Sequence, residues 1–473
     1  MLKKTVSILL IFTMVITLAA CSGSGTETVL KEPSSSNNSS SDTPSDTSSA
    51  PSSRPVDSTP SGGSLNDVKN PSSDASAQDS GLFSYPERYV VVYPTGSKEL
   101  KEQAVRIQEY FSQHLRANIP VVADNSGASQ WEILVGKTNR SQSSTMAENK
   151  YKVSIKDKKL VFDGGHFAMV ELAVSKFIEK APKSEAEMAL SGTVKDFKSK
   201  MLGKYDYVWG DEFEGSEVDF TKWTFDEKMG GTSSIIVSFS RQTIDMKDGR
   251  LVLRALKSQN KDKNQYLVPT SVVSQYNMMY TYGYCEIKAK VPNATGVWPS
   301  FWTQSDDGIG ERKCWDYFVE VDIFEVFGDP MGTFVPNLHK WYSSAAGGGH
   351  PVSDCKNKYT VPKSGSEYHT YGYEWTPSRI SMYVDGNKYE TYDITDANAF
   401  DGSGEMKGFR DPQFLIFNNH VFTPDSSFKP NLITNNEDAL PAEYCIEYFR
   451  LYQKKGEGKI WINTSVHRNF GDR

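Results

Sequence analysis

Hydrophobic and polar positions follow two different patterns along this chain, and the change comes near residue 205. Between residues 85 and 200, short apolar runs such as residues 89–93 and 132–136 are typical of buried strands, and they alternate with two segments of helical spacing. The apolar residues of those two segments are Leu100, Ala104, Ile107, Phe111 and Leu115 in the first and Val170, Val174, Phe177 and Ile178 in the second. The pattern predicts a small α/β domain over residues 85–200.

Beyond residue 205 the pattern is one of many short strands separated by Gly, Pro, Asn and Asp. The runs at residues 250–255, 284–291, 379–384 and 443–452 fit this description, and no long amphipathic segment interrupts them. Some 250 residues of this kind predict a single all-β domain, a sandwich or barrel. We place this domain at residues 205–455 and expect residues 456–473 to form a C-terminal tail.

The first residues have the pattern of an export signal. Lys3 and Lys4 precede an apolar stretch that is too short and wrongly flanked to be a stable membrane span. The stretch ends in Leu-Ala-Ala-Cys at Cys21, which resembles the bacterial lipobox, where cleavage leaves the cysteine as a lipidated N-terminus. An ordinary signal peptide with an incidental cysteine is the alternative. We expect an exported protein, anchored to the cell membrane through Cys21 and facing away from the cytoplasm.

Residues 22–84 consist mainly of Ser, Pro, Thr, Asp and Asn. Such a segment contains too little apolar surface to offset the conformational entropy that ordering it would cost. We therefore expect a disordered tether between the membrane and the folded part of the chain.

The net charge and the cysteine spacing limit the kinds of molecule and metal that this chain is expected to bind. The net charge is −7 and no Lys/Arg stripe is present, which argues against nucleic acid. The spacing of the four remaining cysteines fits no zinc pattern. Export permits a disulfide, and Cys314 with Cys355 is the pair to test, whereas Cys285 and Cys445 lie in strand-like runs and are expected to be buried. We expect a monomer that contacts the membrane only through its lipid.

One predicted strand, residues 319–326, carries three carboxylates. Side chains alternate along a strand, so Glu320 and Asp322 point to the same side. One extra residue, a β-bulge at Ile323 and Phe324, would bring Glu325 to that side as well. The alternative is an edge strand that simply exposes acids to solvent.

Three acids on one face suit the hydrolysis of a glycosidic bond. That reaction needs one ionised carboxylate beside the anomeric carbon and one protonated carboxyl group beside the leaving oxygen. With a bulge, Glu320 and Glu325 lie roughly 13 Å apart along the strand, and curvature could bring the carboxyl groups to the ~5–5.5 Å of a retaining mechanism. Three neighbouring acids cannot all ionise cheaply, so at least one pKa should be raised, as a general acid requires.

The segments around this strand resemble glycoside hydrolase family 16, whose β-jelly-roll members include laminarinases, lichenases and agarases. The matching segments occur in the family's order at residues 209–215, 282–292, 296–302, 371–377, 383–386 and 446–452. The resemblance spans about 250 residues and implies a jelly-roll sandwich. Within the preceding α/β domain, residues 132–140 resemble the accessory domain that precedes the catalytic domain in some hexosaminidases and glucuronidases.

The resemblance implies a role for each acid. Glu320 corresponds to the nucleophile, Asp322 to the assisting acid and Glu325 to the general acid/base, in the bulged E-x-D-x-x-E form of laminarinase-like members. It further implies that Trp298 and Trp302 offer flat faces to sugar rings, with a place in the sandwich core as the alternative. His339 corresponds to a residue that lines the same cleft, with a loop role as the alternative.

The chain also departs from the family's pattern. Tyr, Phe and Val precede Glu320 where laminarinases usually have a small residue, and residues 306–316 look like an insertion. These differences leave the acids in place and affect the substrate. No cofactor is required, although some members bind a structural calcium ion, for which Glu212 and Glu447 would be the ligands here.

Three functions fit these observations. The leading one is an endo-acting, retaining hydrolase of a β-linked polysaccharide, with a laminarin-like β-1,3-glucan as the first substrate to test. A transglycosylase would use the same acids, with a sugar in place of water. A non-catalytic carbohydrate-binding protein is the third, and the presence of all three acids disfavours it.

Overall fold

The computed structural model describes residues 27–30, 81–227, 234–259, 265–292, 294–305, 317–327, 332–342, 349–353, 357–395, 407–426 and 431–463. Within these ranges no helix is long and apolar enough to cross a membrane. The candidate disulfide residues Cys314 and Cys355 lie outside them. Cys285 and Cys445 are both buried thiols, as predicted.

The N-terminal domain is a mixed sheet with two helices. The helices are α1 (Lys98–Leu115) and α2 (Phe167–Lys180), where both were predicted. The strands are β2 (Val90–Tyr93), β3 (Val121–Ala123), β4 (Glu132–Val135), β5 (Lys150–Lys156), β6 (Lys159–Gly164) and β7 (Leu190–Thr193), in the spatial order β3-β2-β4-β6-β5-β7.

Periodic apolar residues fix how these elements pack. Ile107 and Phe111 of α1 and Phe177 of α2 are fully buried, and they pack in one cluster with Ile133 of β4 and Phe162 of β6. Burying such a side chain contributes about 1.5–3 kcal/mol to the stability of the fold. The apolar faces that the helical spacing predicted therefore stabilise the domain. The Ser97 side chain accepts a hydrogen bond from the Leu100 amide at 3.2 Å and caps the first helix.

The C-terminal domain is a sandwich of two sheets. Among the described residues, the first sheet has 11 strands, β1 (Glu27–Val29), β10 (Thr224–Asp226), β15 (Ser271–Val273), β16 (Met278–Thr281), β18 (Val297–Ser305), β19 (Tyr317–Val326), β20 (Thr333–Tyr342), β21 (Gly349–Ser353), β22 (Lys358–Thr360), β26 (Gln413–Val421) and β28 (Lys459–Ile462). Its main path runs β1-β22-β20-β19-β18-β26-β15-β10; in addition β16 pairs with β26 and β28, and β21 pairs with β20.

The second sheet also has 11 strands in the part of the chain that the structure describes. They are β8 (Lys200–Met201), β9 (Tyr205–Asp211), β11 (Val237–Phe239), β12 (Ile244–Met246), β13 (Leu251–Lys257), β14 (Tyr266–Val268), β17 (Gly283–Lys290), β23 (His369–Trp375), β24 (Arg379–Val384), β25 (Asn387–Asp393) and β27 (Ala442–Gln453). The main path is β11-β14-β13-β27-β17-β23-β24-β25, with β12 on β13, β9 on β27 and β8 on β9. The all-β jelly-roll sandwich predicted from the sequence is therefore present.

Alternation along the strands builds the core between the two sheets. Phe301 and Phe417 of the first sheet pack in one cluster with Ile287 and Phe449 of the second, and all four are fully buried. Residues between them on each strand point the other way. We call the side of the first sheet that points away from the second sheet its outer face.

Two expectations about the chain ends need correction. Residues 22–84 were expected to be a disordered tether, but Glu27–Val29 form β1, which runs parallel to β22, and Leu30 packs against the sandwich core. The tether prediction also ran past Leu82, which is 1% exposed in the N-terminal domain. Residues 456–473 were expected to be a tail, but Lys459–Ile462 form β28 on β16. Each of these segments is only a few residues long, and its own composition does not predict a strand. Pairing with a distant strand is what orders it.

The two domains are joined by buried aromatic and charged contacts. Tyr207, Tyr284 and Tyr452 of the second sheet pack into the apolar cluster of the N-terminal domain. Lys222 of the sandwich lies 2.7 Å from Glu171 of α2. The N-terminal domain thus covers the second sheet, and this leaves the catalytic candidates on the opposite side of the sandwich.

Candidate active site

The predicted β-bulge is present in β19. Against β20, Asp322 is paired with Asn337 and Glu325 with Val335, so two residues of β19 span the place of one residue of its neighbour. Both residues of the bulge, Ile323 and Phe324, are fully buried in the core. The acid that follows is thereby turned to the outer face.

All three acids accordingly lie on the outer face of the first sheet. Asp322 is 1% exposed and Glu325 is 6% exposed, whereas Glu320 is partly exposed. His339 lies opposite Glu320 on β20, and its Nε2 is 3.2 Å from Oδ2 of Asp322. One oxygen each from Glu320 and Asp322 and one nitrogen from His339 lie within 4.8 Å of one another. These three groups could hold a cation, but Glu320 and Asp322 are also acids that the sequence pattern assigned to hydrolysis.

Glu320 and Glu325, the first and last of the three acids, each accept a hydrogen bond from the indole of a different tryptophan. The Nε1–H of Trp341 donates to Oε2 of Glu320 at 2.9 Å, and the Nε1–H of Trp298 donates to Oε1 of Glu325 at 3.1 Å. Trp341 lies two residues after His339 on β20, and the two rings stack at 5.6 Å between centroids. The two acids therefore have fixed orientations before any substrate arrives.

The expectation that Trp298 and Trp302 present open faces to sugar rings differs from the structure. Trp298 is 3% exposed and stacks on Phe422 at 4.8 Å, and Trp302 is 6% exposed and donates to Oδ1 of Asn418 at 2.6 Å. Both lie on the outer face, next to Glu325 and Asp322 respectively. Because each indole N–H is satisfied by a neighbouring polar group, each ring is held against the protein and takes part in positioning the site.

The carboxyl groups share one low-polarity environment, which raises the pKa of all three. Burial and the neighbouring Asp322 raise the pKa of Glu320 to about 8, while His339 and the Trp341 hydrogen bond act in the opposite direction. Burial, followed by repulsion from Asp322 and Glu320, holds the pKa of Glu325 well above its ordinary value. Burial likewise holds the pKa of Asp322 well above its ordinary value. Burial and mutual repulsion thus favour a protonated carboxyl group in this cluster, which a general acid requires.

Three outer-face residues were not predicted from the sequence. Trp341 is one, Asn418 is the acceptor for Trp302, and His420 is paired with Trp298 in register. Burial lowers the pKa of His420 to about 3, so this histidine is neutral at physiological pH. The sequence shows that Trp341 shares a strand face with His339, at a spacing of two, but it does not show the contact of Trp341 with Glu320.

Replacing Trp341 with Phe is expected to shift the pH dependence of any reaction that needs ionised Glu320. The change keeps an aromatic ring but removes a charge-assisted hydrogen bond worth about 1.5–3 kcal/mol, so the pKa of Glu320 should rise by about one unit or more. Activity that requires ionised Glu320 is gained as the pH rises through that pKa, so the acidic limb of the kcat/KM profile should move to higher pH. Trp375→Phe is the matched control, because no partner for its buried indole N–H is present among the described residues.

The contradicting result is a Trp341→Phe profile that overlays those of the parent and of Trp375→Phe. That outcome would show that the indole contact does not influence the charge of Glu320.

The two residues suggested as calcium ligands are instead paired with bases. Glu212 is bound by Arg450 through two hydrogen bonds of 2.9 and 2.8 Å, and Glu447 lies 2.9 Å from the Lys288 ammonium. Each carboxylate already has a positive partner on the second sheet. The structure therefore gives no support to a calcium site formed by this pair.

Comparison with known proteins gives one matching family model and several relatives that cover about half of this chain. A sequence model described as the family 16 domain of β-porphyranases A–D matches residues 207–436. A glucan endo-1,3-β-glucosidase A1 from Niallia circulans is 26% identical over 271 residues, 52% of this chain and 38% of that protein. A β-glucanase from Rhodothermus marinus is 26% identical over 54% of this chain and 88% of that protein.

A third relative has a different substrate in its name. It is a keratan-sulfate endo-1,4-β-galactosidase from Sphingobacterium multivorum, 26% identical over 53% of this chain and 55% of that protein. The chain thus spans well under two thirds of the glucosidase and the galactosidase. The region matched by the family model contains the acidic strand β19, and residues 207–436 of this chain form a glycoside hydrolase family 16 domain.

Proposed function

We propose that the sandwich domain hydrolyses internal bonds of a β-linked polysaccharide with retention of anomeric configuration. The observation that carries this proposal is the bulged strand β19, which brings Glu320, Asp322 and Glu325 to one face, with the two glutamates each fixed by an indole. A binding module has no need for three acids that raise one another's pKa at the cost of burial.

The positions of the acids on the bulged strand, matched to the family's pattern, assign the catalytic roles. Glu320 is the nucleophile: its carboxylate attacks the anomeric carbon and forms a glycosyl ester, while the bond from that carbon to the leaving oxygen breaks. Glu325 keeps its proton and gives it to the leaving oxygen. Water then attacks the anomeric carbon and gives a proton to the Glu325 carboxylate, and the bond from that carbon to Glu320 breaks. Asp322 and His339 adjust the charge of the nucleophile between these steps.

Two classes of substrate are supported by the relatives. A β-1,3-glucan is our first choice, because the Niallia relative is named as a glucan endo-1,3-β-glucosidase and the Rhodothermus relative as a β-glucanase. A β-galactan is the second candidate, since the matching family model is that of porphyranases and the Sphingobacterium relative is named for cleavage of keratan sulfate. This chain departs from laminarinases at residues 317–319, just before Glu320. This is the region that would select between a glucan and a galactan.

A panel of polysaccharides tests the proposal. Laminarin, lichenan, agarose, porphyran and keratan sulfate would be incubated with the protein and assayed for new reducing ends and for the size of the products. We expect short oligosaccharides of several lengths from laminarin or from one of the galactans, as an endo-acting hydrolase produces. Products longer than the added oligosaccharides would identify a transglycosylase, and no product from any of the five would contradict the proposal.

We also propose that the protein is exported and held at the membrane by a lipid on Cys21. The support is the apolar stretch followed by Leu-Ala-Ala-Cys. Cells expressing the full chain and supplied with radiolabelled palmitate should yield labelled protein, and the Cys21→Ala variant should be unlabelled. Label that persists in Cys21→Ala would exclude lipidation at this residue.

A further inference from the structure

Strand β28 lies outside the region that matches the family model, which ends at residue 436. It pairs antiparallel with β16, with Met279 opposite Trp461 and Tyr280 opposite Ile460. This pairing places four residues near the end of the chain in the sheet that carries the three acids. The strand therefore extends the candidate site's own sheet at one side.

Alternation along β28 decides where Trp461 points. Ile460 packs into the core between the two sheets, so its neighbour Trp461 points to the outer face, where the acids lie. There Trp461 joins a cluster with Met279, Phe414 and Trp302. The other members of this cluster are buried, whereas Trp461 is only partly buried. Trp461 is thus the member of the cluster with ring surface open to solvent.

The cluster is continuous with the candidate active site. Trp302 is paired with Asp322 across β18 and β19, and it is also paired with Ile416 of β26, a further member of the cluster. From β19 the order is β18, β26, β16 and β28, so Trp461 lies four strand spacings, or roughly 19 Å, from the acids along the sheet. A polysaccharide that crosses the strands at the acids would reach Trp461 several sugar rings away.

The side chain next to Trp461 on the same face is also suited to a sugar. The Lys459 ammonium lies 6.0 Å from the centre of the Trp461 ring, and Lys459 is exposed. A flat indole face binds the apolar side of a pyranose, and an ammonium group donates hydrogen bonds to its hydroxyl groups. Together these two residues have the features of a sugar-binding position.

We propose that Trp461 and Lys459 form a remote subsite for the polysaccharide that is cleaved at Glu320. This proposal rests on the proposed function, since the ligand is the substrate of that site. The subsite contributes to binding of long chains only, because a short oligosaccharide that occupies the acids does not reach β28.

The test compares long and short substrates of the same chemistry. Laminarin and laminaritetraose would be used, or agarose and neoagarotetraose if the polysaccharide panel selects a galactan. Loss of one sugar–indole contact should raise KM for the polysaccharide roughly tenfold. We expect this rise in Trp461→Ala, with kcat unchanged and with cleavage of the tetrasaccharide unaffected.

Two further variants separate binding from folding. Trp461→Leu keeps an apolar side chain against Met279 but has no flat ring, so it should raise KM in the same way while the thermal unfolding temperature stays near that of the parent. Ile462→Ala is the matched control. Ile462 lies on the same strand as Trp461, but it lines a different pocket, which is formed with residues of α1. It should leave KM unchanged for both substrates.

The outcomes distinguish the subsite from the underlying activity. If a polysaccharide is cleaved and both Trp461 variants keep the parent's KM for it, the subsite is refuted and the proposed function stands. If the tetrasaccharide is affected as strongly as the polysaccharide, Trp461 acts on the whole site and a remote subsite is excluded. If no polysaccharide is cleaved by the parent protein, the proposed function fails, and the subsite fails with it.

Discussion

Glu320→Gln is expected to reduce polysaccharide hydrolysis by roughly 10³-fold or more, because the amide cannot form the glycosyl ester. The side chain keeps the same length and can still accept a hydrogen bond from the Trp341 indole through its amide oxygen. Binding of the polysaccharide and the thermal unfolding temperature should therefore stay close to those of the parent. Initial rates from reducing-end release, with affinity electrophoresis for binding, measure both effects.

Glu325→Gln provides the comparison that separates the two roles. Loss of a general acid typically lowers the reaction rate about 10²–10⁴-fold, and the rate falls less when the leaving group needs no proton. An aryl glycoside with an acidic phenol should therefore recover much of its rate in Glu325→Gln and none in Glu320→Gln. The same recovery in both variants, or full polysaccharide hydrolysis by Glu320→Gln, would show that the roles are assigned wrongly.

Arg450→Met is expected to lower the free energy of unfolding by about 3–5 kcal/mol, because it leaves a buried carboxylate without its partner. The Arg450 side chain is 1% exposed, and besides its two hydrogen bonds to Glu212 it donates to the backbone oxygen of Asp196 at 2.8 Å. The guanidinium also lies 3.6 Å from the centre of the Tyr448 ring. This side chain of β27 thus contacts Glu212, directly after β9, and the segment that leads in from the N-terminal domain.

The double variant Arg450→Met/Glu212→Gln is the control for that prediction. Removing the charge of Glu212 removes the larger part of the penalty, so the double variant should be more stable than Arg450→Met alone. Urea unfolding followed by tryptophan fluorescence measures the differences. An Arg450→Met protein as stable as the parent would show that the buried pair does not contribute to the junction between the domains.

The local features of the active strand could be predicted from the sequence. The spacing of Glu320, Asp322 and Glu325 is compatible with a single face only if one residue is extra, and apolar residues at Ile323 and Phe324 indicate where it lies. Helical spacing likewise located α1 and α2. In each case, a run of ten or so residues contains the whole signal.

Features that depend on a distant strand could not be predicted. Trp341 contacts Glu320 only because β20 pairs with β19 in one particular register, and nothing near either residue specifies that register. The burial of Trp298 depends on Phe422, more than a hundred residues away, and the order of β28 depends on β16. Nonlocal pairing therefore determines which residues support the acids, while the local pattern determines only the acids themselves.

The configuration of the first product tests the central claim most directly. Proton NMR during the first minutes of hydrolysis, before mutarotation is complete, distinguishes the two anomers of the new reducing end. If Glu320 forms a glycosyl ester that water then displaces, the first product has the β configuration of the bond that was cut. A first product with the α configuration would mean that water attacks directly, and it would contradict the assignment of Glu320 as the nucleophile.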